Sequence, residues 1–184
     1  LAERALVIVD EAYMEYAGAA SATTLLDRYA NLGVLRTLSK AWALAGARIG
    51  TLLANPEVIA LLRRIMAPYP LPTPCVDAAL RALDEDSRYL ARERIATTVA
   101  ERERLASLLV ALPGVQTVHP SRANFLTVLL DDAPGVYRAL VAQGIVVRDV
   151  GRYPGLAGCL RFSIGTPDEN AQLLAALRSI MESA

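Results

Sequence analysis

Lysine is almost absent from this chain: of its 19 basic residues one, Lys40, is a lysine and the rest are arginines. Histidine is limited to His119 and cysteine to Cys75 and Cys159. The two cysteines are far apart and lack metal-type spacing, so neither a zinc site nor a disulfide framework is expected; both are read as buried small hydrophobes in a reducing, cytoplasmic setting. His119, between Val118 and Pro120 with no second ligand nearby, reads as a structural turn residue. Apolar runs are short and interrupted by charge, which leaves no transmembrane span. Nothing reads as a signal peptide, because Leu1-Ala2-Glu3-Arg4 leads straight into a strand. Basic and acidic residues balance at 19 each, and no basic patch or arginine-rich tract points to a nucleic acid or a membrane surface as partner. An initiator Met is missing and the first ten residues already resemble a strand of a sheet in progress. The expectation is the C-terminal part of a longer protein.

What is present suits a folded protein. The 184 residues allow one or two domains, and a hydrophobic fraction of 54% supports a real core. Ala5 to Val9 is a continuous β-prone run, the pattern of a strand buried on both faces of a parallel sheet. It ends in Asp10, at the strand edge where open α/β sheets present ligand groups. Val34–Leu38 and Ile49–Ala54 read as further strands. Asn55 and Pro56 then read as N-cap and first position of a helix to about Met66. Four prolines within residues 68–74 exclude a regular helix or central strand and mark a linker. A helix from about Pro74 to Leu83 and a long amphipathic one from about Ser87 to Leu112 follow, the latter closed by Pro113-Gly114. The remainder alternates: strands at 115–118, 124–130, 145–148 and 159–164, helices at 134–143 and 167–181, the last opened by a Thr166/Glu169 capping box. The expected fold class is α/β: part of a larger sheet domain over 1–67, then a small α+β domain over 68–184.

The chemistry-bearing residues cluster in two strings. In Arg36-Thr37-Leu38-Ser39-Lys40-Ala41-Trp42-Ala43-Leu44-Ala45-Gly46-Ala47-Arg48 the lone lysine lies in a small-residue, apolar stretch. A lysine amine is protonated near neutral pH, and a desolvated setting favours the free, nucleophilic form. The plain alternative is a surface lysine at a helix start. Arg48, eight residues on, offers the planar fork that grips a phosphate, with the hydroxyls of Thr37 and Ser39 beside it; the alternative is an arginine lying over the sheet edge. Asp10 is followed three residues later by Tyr13. A carboxylate at the end of an apolar strand is costly without a partner, and a pyridinium nitrogen would supply one; a turn or cap aspartate is the alternative. Glu11 is read as structural, and Trp42 and Tyr69 as core-packing aromatics. The set as a whole fits pyridoxal 5'-phosphate (PLP), with Lys40 as its Schiff-base lysine.

The strings Val9-Asp10-Glu11-Ala12-Tyr13 and Arg36 to Gly50 resemble fold-type I PLP aminotransferases, and more narrowly the histidinol-phosphate aminotransferase family. Asn124-Phe125, Gly144 to Asp149 and Leu160 to Asn170 follow in that family's order and approximate spacing, so the resemblance spans the whole chain. It implies that residues 1–67 are the C-terminal part of the PLP-binding large domain and 68–184 the small domain. It implies roles as well. Lys40 holds the cofactor and moves the proton between substrate Cα and cofactor C4′. Asp10 pairs with the ring nitrogen, Tyr13 bonds the phenolic oxygen, and Ser39, Arg48 and Thr37 hold the phosphate. Arg161 grips the substrate's anionic end, Arg148 is a second clamp for a substrate phosphate, and Asn124 lines the site. The implied reaction is transamination between histidinol phosphate and 2-oxoglutarate, giving imidazole-acetol phosphate and glutamate, in a homodimer. Two other readings stay open: another fold-type I enzyme (an aromatic aminotransferase or a threonine-phosphate decarboxylase), and a non-catalytic fragment that binds no cofactor alone. The family's N-terminal half, with its phosphate-cradling turn, ring-stacking aromatic and interface tyrosine, has no counterpart in this sequence.

Overall fold

The computed structural model describes residues 4–182. Contacts divide the chain into two units, one up to Glu93 and one from Arg94 onward. The sequence places the boundary in the proline segment at 68–74. The helix that follows the prolines contacts the turn at Ala45–Ala47, within the first unit.

The first unit is built on three strands, β1 (Val7–Asp10), β2 (Leu32–Thr37) and β3 (Gly50–Ala54). β1 and β2 are parallel, with Asp10 opposite Leu35; β3 is antiparallel to β2, with Thr37 opposite Gly50. A short helix α1 (Met14–Ala17) and a 3-10 turn at Ala22–Leu25 connect the parallel pair. Gly33 permits a close approach here: a Cβ at that position would stand 2.7 Å from Ile8 Cδ1 and 3.1 Å from Leu52 Cδ1. α2 (Pro56–Ile65) begins as its sequence predicts, with Asn55 Oδ1 accepting from Glu57 N at 2.9 Å and Pro56 in the first turn. α3 (Thr73–Ala82) follows the proline segment. The expectation that β1 is buried on both faces is not met. Its burial alternates, and Ile8 is 42% exposed, because only one neighbouring strand and a 3-10 turn cover it. Tyr69, expected in the core, is 96% exposed, held in the proline segment with a left-handed φ of 54°.

The long helix α4 (Glu85–Val110) ends in the second unit. That unit has an antiparallel sheet of β4 (Val115–Val118), β5 (Phe125–Leu130), β7 (Cys159–Ser163) and β6 (Arg148–Asp149), in that spatial order. α5 (Ala133–Ala142) and α6 (Pro167–Glu182) complete it. Alternation along β5 and β7 sends Leu126, Val128, Leu160 and Phe162 to one face, where they pack with Leu105 and Leu109 of α4, Leu140 of α5 and Leu177 of α6. The expected strand at 145–148 shrinks to Arg148–Asp149. Ile145–Val147 are apolar enough for a strand, but Ile145 N bonds back to Leu140 O at 2.9 Å and closes the turn after α5. The α6 capping box forms: Glu169 N donates to Thr166 Oγ1 at 3.3 Å and Thr166 N to Glu169 Oε2 at 2.7 Å. No described helix is long and apolar enough to cross a membrane.

Candidate active site

In the first unit the chemistry-bearing residues gather at the C-terminal ends of the two parallel strands, where open α/β sheets present ligand groups. Asp10 closes β1 and is exposed. One of its oxygens, Oδ1, accepts from Ala12 N at 3.0 Å, an Asx-type turn that turns the chain toward Tyr13. β2 runs out through Thr37 into Ser39 and Lys40. Thr37 Oγ1 lies 2.9 Å from Ser39 Oγ and accepts from Ser39 N at 3.0 Å, so the two hydroxyls share one tight turn. Lys40 Nζ stands 5.4 Å from the centroid of the Tyr13 ring, which brings the β1 and β2 ends together side chain to side chain. Lys40 is exposed, contrary to the apolar enclosure its small-residue neighbours suggest. Small side chains such as Ala43, Ala45 and Gly46 do not reach far enough to cover a four-carbon stem, and all three are themselves exposed.

The loop after Lys40 carries two non-glycine residues in the left-handed region, Ala43 at φ 56° and Arg48 at φ 54°. Such conformations cost of order 1–3 kcal/mol each and cluster where geometry is held for function. Arg48 is exposed, with NH1 donating to Ala45 O at 3.0 Å. Beneath the loop lies a network that the sequence did not disclose. Arg36 pairs with Glu11 at 3.2 Å and Glu15 at 2.9 Å, and Trp42 Nε1 donates to Glu15 at 3.4 Å. Glu11, 6% exposed, also accepts from Ser21 Oγ and Ala22 N. This buried carboxylate is therefore structural, and it ties the β1 end to the β2 end next to Asp10.

The second unit holds the remaining candidates on the outer face of its sheet. Arg161 in β7 stands directly opposite Arg148 in β6 and opposite Thr127 in β5. Like charges facing each other across strands repel, which makes this face receptive to an anion. The Arg161 guanidinium lies 4.9 Å over the Phe125 ring, and its Nε is buried with no hydrogen-bond partner. Arg148 is exposed. Tyr153, which sequence reasoning missed, has its hydroxyl beside Arg152 NH2 at 3.4 Å. Hydrogen bonds from Arg152, and then from Arg148, pull this phenol below the usual tyrosine range. Asn124, half-buried, sits at the start of β5, its carbonyl accepting from Ile164 N at 2.9 Å. Cys159 is buried, as expected; burial pushes its thiol up, and Sγ lies 3.9 Å from His119 Nε2. Among the described residues no cluster of histidine, cysteine and carboxylate side chains suits a metal.

The donor set of the first unit matches the parts of a phosphorylated pyridine aldehyde. A primary amine lies beside a phenol; a carboxylate with one oxygen uncommitted to the turn and a pair of hydroxyls next to an arginine complete it. Comparison with known proteins agrees. The family model "Aminotransferase class I and II" matches residues 1–177. A curated histidinol-phosphate aminotransferase of Xanthomonas axonopodis pv. citri (strain 306) is 55% identical over 181 residues, covering 98% of this chain and 50% of the relative. Among solved structures, the histidinol-phosphate aminotransferase of Sinorhizobium meliloti in complex with pyridoxal-5'-phosphate is 30% identical with a TM-score of 0.83, covering 97% of this chain and 49% of that one. A decarboxylase from Sulfurospirillum multivorans is 30% identical with a TM-score of 0.87, covering 98% and 54%. The chain spans about half the length of the curated relatives it matches. With the matched model running through both units and the lysine, carboxylate and phenol gathered at one strand edge, the chain belongs to the class I and II aminotransferase family.

Proposed function

We propose that this chain is the C-terminal part of a PLP-dependent aminotransferase that exchanges an amino group between histidinol phosphate and 2-oxoglutarate, as a cytoplasmic homodimer in histidine biosynthesis. The observation that carries the reading is the approach of Lys40 to Tyr13 at the ends of two adjacent parallel strands, one of which closes on Asp10. The names of the relatives at about half of whose length the chain aligns support the substrate.

When bound, pyridoxal phosphate supplies an electron sink for the charge that develops at the substrate's α-carbon. The chain's own residues do the rest. The Asp10 carboxylate holds a proton on the ring nitrogen, which maintains the sink. The Tyr13 hydroxyl donates to the phenolic oxygen. Thr37, Ser39 and Arg48 would hold the phosphate, Arg48 through its planar guanidinium fork. With the group bound, the Lys40 amine would be the base that moves the proton between the substrate Cα and C4′. Arg161 receives the substrate carboxylate and Arg148 a substrate phosphate, with Asn124 lining the same site.

The test combines trapping with an assay. The intact protein is incubated with PLP, reduced with borohydride and peptide-mapped. A reduced adduct on Lys40, absent in Lys40→Ala, is the expected result; an unmodified Lys40 in a protein that stays folded would overturn the cofactor assignment. With histidinol phosphate and 2-oxoglutarate the expected product is glutamate. Release of CO2 from an amino-acid phosphate would instead assign the decarboxylase activity that the Sulfurospirillum neighbour's name describes.

A further inference from the structure

Arg161 is held in an unusual way for a residue that must meet an anion. Among the described residues no carboxylate lies within ion-pair distance of it. Its guanidinium rests instead on the face of Phe125, 4.9 Å from the ring centroid. The difference matters chemically. A carboxylate partner would occupy the in-plane N–H fork and compete with an incoming ligand. An aromatic face attracts the cation through the ring quadrupole and orients the guanidinium plane, while leaving the edge donors for bidentate contact.

Phe125 is itself firmly seated. Its carbonyl accepts from Ser121 Oγ at 2.6 Å, and Ser121 Oγ also accepts from Ala123 N at 3.1 Å. The buried Arg102 of α4 reaches across to donate to Ala123 O at 3.1 Å. On the far side, Ile164 N donates to Asn124 O at 2.9 Å, and Phe125 pairs with Ser163, two residues from Arg161 on β7. The backbone that carries the ring is thus fixed to the strand that carries the arginine. Arg148 is the residue opposite Arg161 in the register of β6 and β7, so the platform on this face is an uncharged ring, which supports the guanidinium without neutralising it.

We propose that Phe125 is a positioning residue for Arg161, holding its guanidinium ready to receive a carboxylate; the proposal rests on the reading of Arg161 as the substrate clamp. A flexible arginine loses rotamer freedom when it binds, and a stacked one has already lost it. Without the ring the clamp persists but binds more weakly.

The test reads Arg161 directly and needs no cofactor. In the intact protein labelled with 15N-arginine, the Nε–H resonance of Arg161 is assigned by its loss in Arg161→Lys and followed during a glutarate titration. The wild type should show an upfield ring-current shift and saturable binding. Phe125→Leu should lose that shift and bind glutarate roughly three- to tenfold more weakly. Phe125→Tyr, which keeps the ring, should retain both, so the proposal stays testable if Phe125→Leu does not fold. A general packing defect would lower the unfolding midpoint without moving the affinity of the folded protein. Equal glutarate affinity in wild type and Phe125→Leu would overturn the positioning role alone, as would weakened binding in Phe125→Tyr with the ring-current shift intact. An Arg161 resonance unmoved by glutarate in every variant would overturn the clamp reading and this proposal with it.

Discussion

The two units use their sheets differently. In the second, Leu126, Val128, Leu160 and Phe162 are at most 2% exposed, so the arginine-bearing outer face is backed by a complete core. In the first, Leu6, Ile8, Leu35 and Leu53 are 37% to 52% exposed, and the residues of strongest chemical signature sit at the ends of strands that are only partly covered. Burial and chemical legibility are therefore separated in this protein. The lysine loop is recognisable because reactive groups occupy loops at strand ends. The second unit's stability lies in positions that carry no chemical signature at all.

Core truncation should sharpen the contrast most. Leu105→Ala, at a fully buried site in the second unit, should cost about 2–5 kcal/mol in denaturant unfolding. Ile8→Ala, 42% exposed, should cost less than about 1 kcal/mol. Comparable losses would break the comparison.

The next effect is a pH dependence in the second unit. Glu101 on α4 accepts from Arg104 at 2.8 and 2.7 Å and from the buried Asn170 at 2.8 Å. Hydrogen bonds from Arg104, then Asn170, hold its carboxyl at about 2, below the ordinary 4.5. Because the folded value is depressed, the unfolded state binds more protons between those two values. The stabilisation is thus complete above pH 4.5 and lost as pH falls toward 2. Arg104 is 41% exposed, and solvent screening makes the contribution small. Glu101→Gln should flatten the acid limb of a stability–pH curve recorded on a second-unit probe. An unchanged limb would remove Glu101 from the account.

Thr166→Ala breaks the capping box of α6 and should cost about 1 kcal/mol by urea titration. The smallest effect belongs to the residue proposed to hold the cofactor. Lys40 is exposed, so Lys40→Ala should shift stability by no more than about 0.5 kcal/mol while removing the borohydride-trapped adduct. A large stability loss would show that the lysine carries structure as well as chemistry.

Local signals were legible in proportion to how short their range is. Asn55-Pro56 and the Thr166/Glu169 pair act within one helical turn, and both form as their residues predict. The Thr37-Ser39-Lys40 turn is equally local. The β-prone triplet Ile145–Val147 does not extend β6, because Ile145 N is engaged by Leu140 O, a contact that the triplet itself cannot reveal. Tyr69 stays exposed because aromatic character alone does not bury a side chain in a segment of prolines. The links of Arg36 to Glu11 and Glu15 span 25 and 21 residues, and the stack of Arg161 on Phe125 joins two strands. No spacing rule encodes these.

The sequence by itself determined which groups are available: one lysine, the carboxylate that ends β1 and the phenol three residues beyond it, the hydroxyls and arginine around Lys40, and the arginines Arg148 and Arg161. It determined them because side-chain chemistry and turn propensity are local properties. Only the tertiary structure decided what those groups face. It set Lys40 over Tyr13, made Glu11 a buried tie to Arg36, and laid Arg161 on an uncharged ring opposite Arg148. Those pairings depend on strand register and on which faces are covered, and both are settled by the packing of segments distant along the chain.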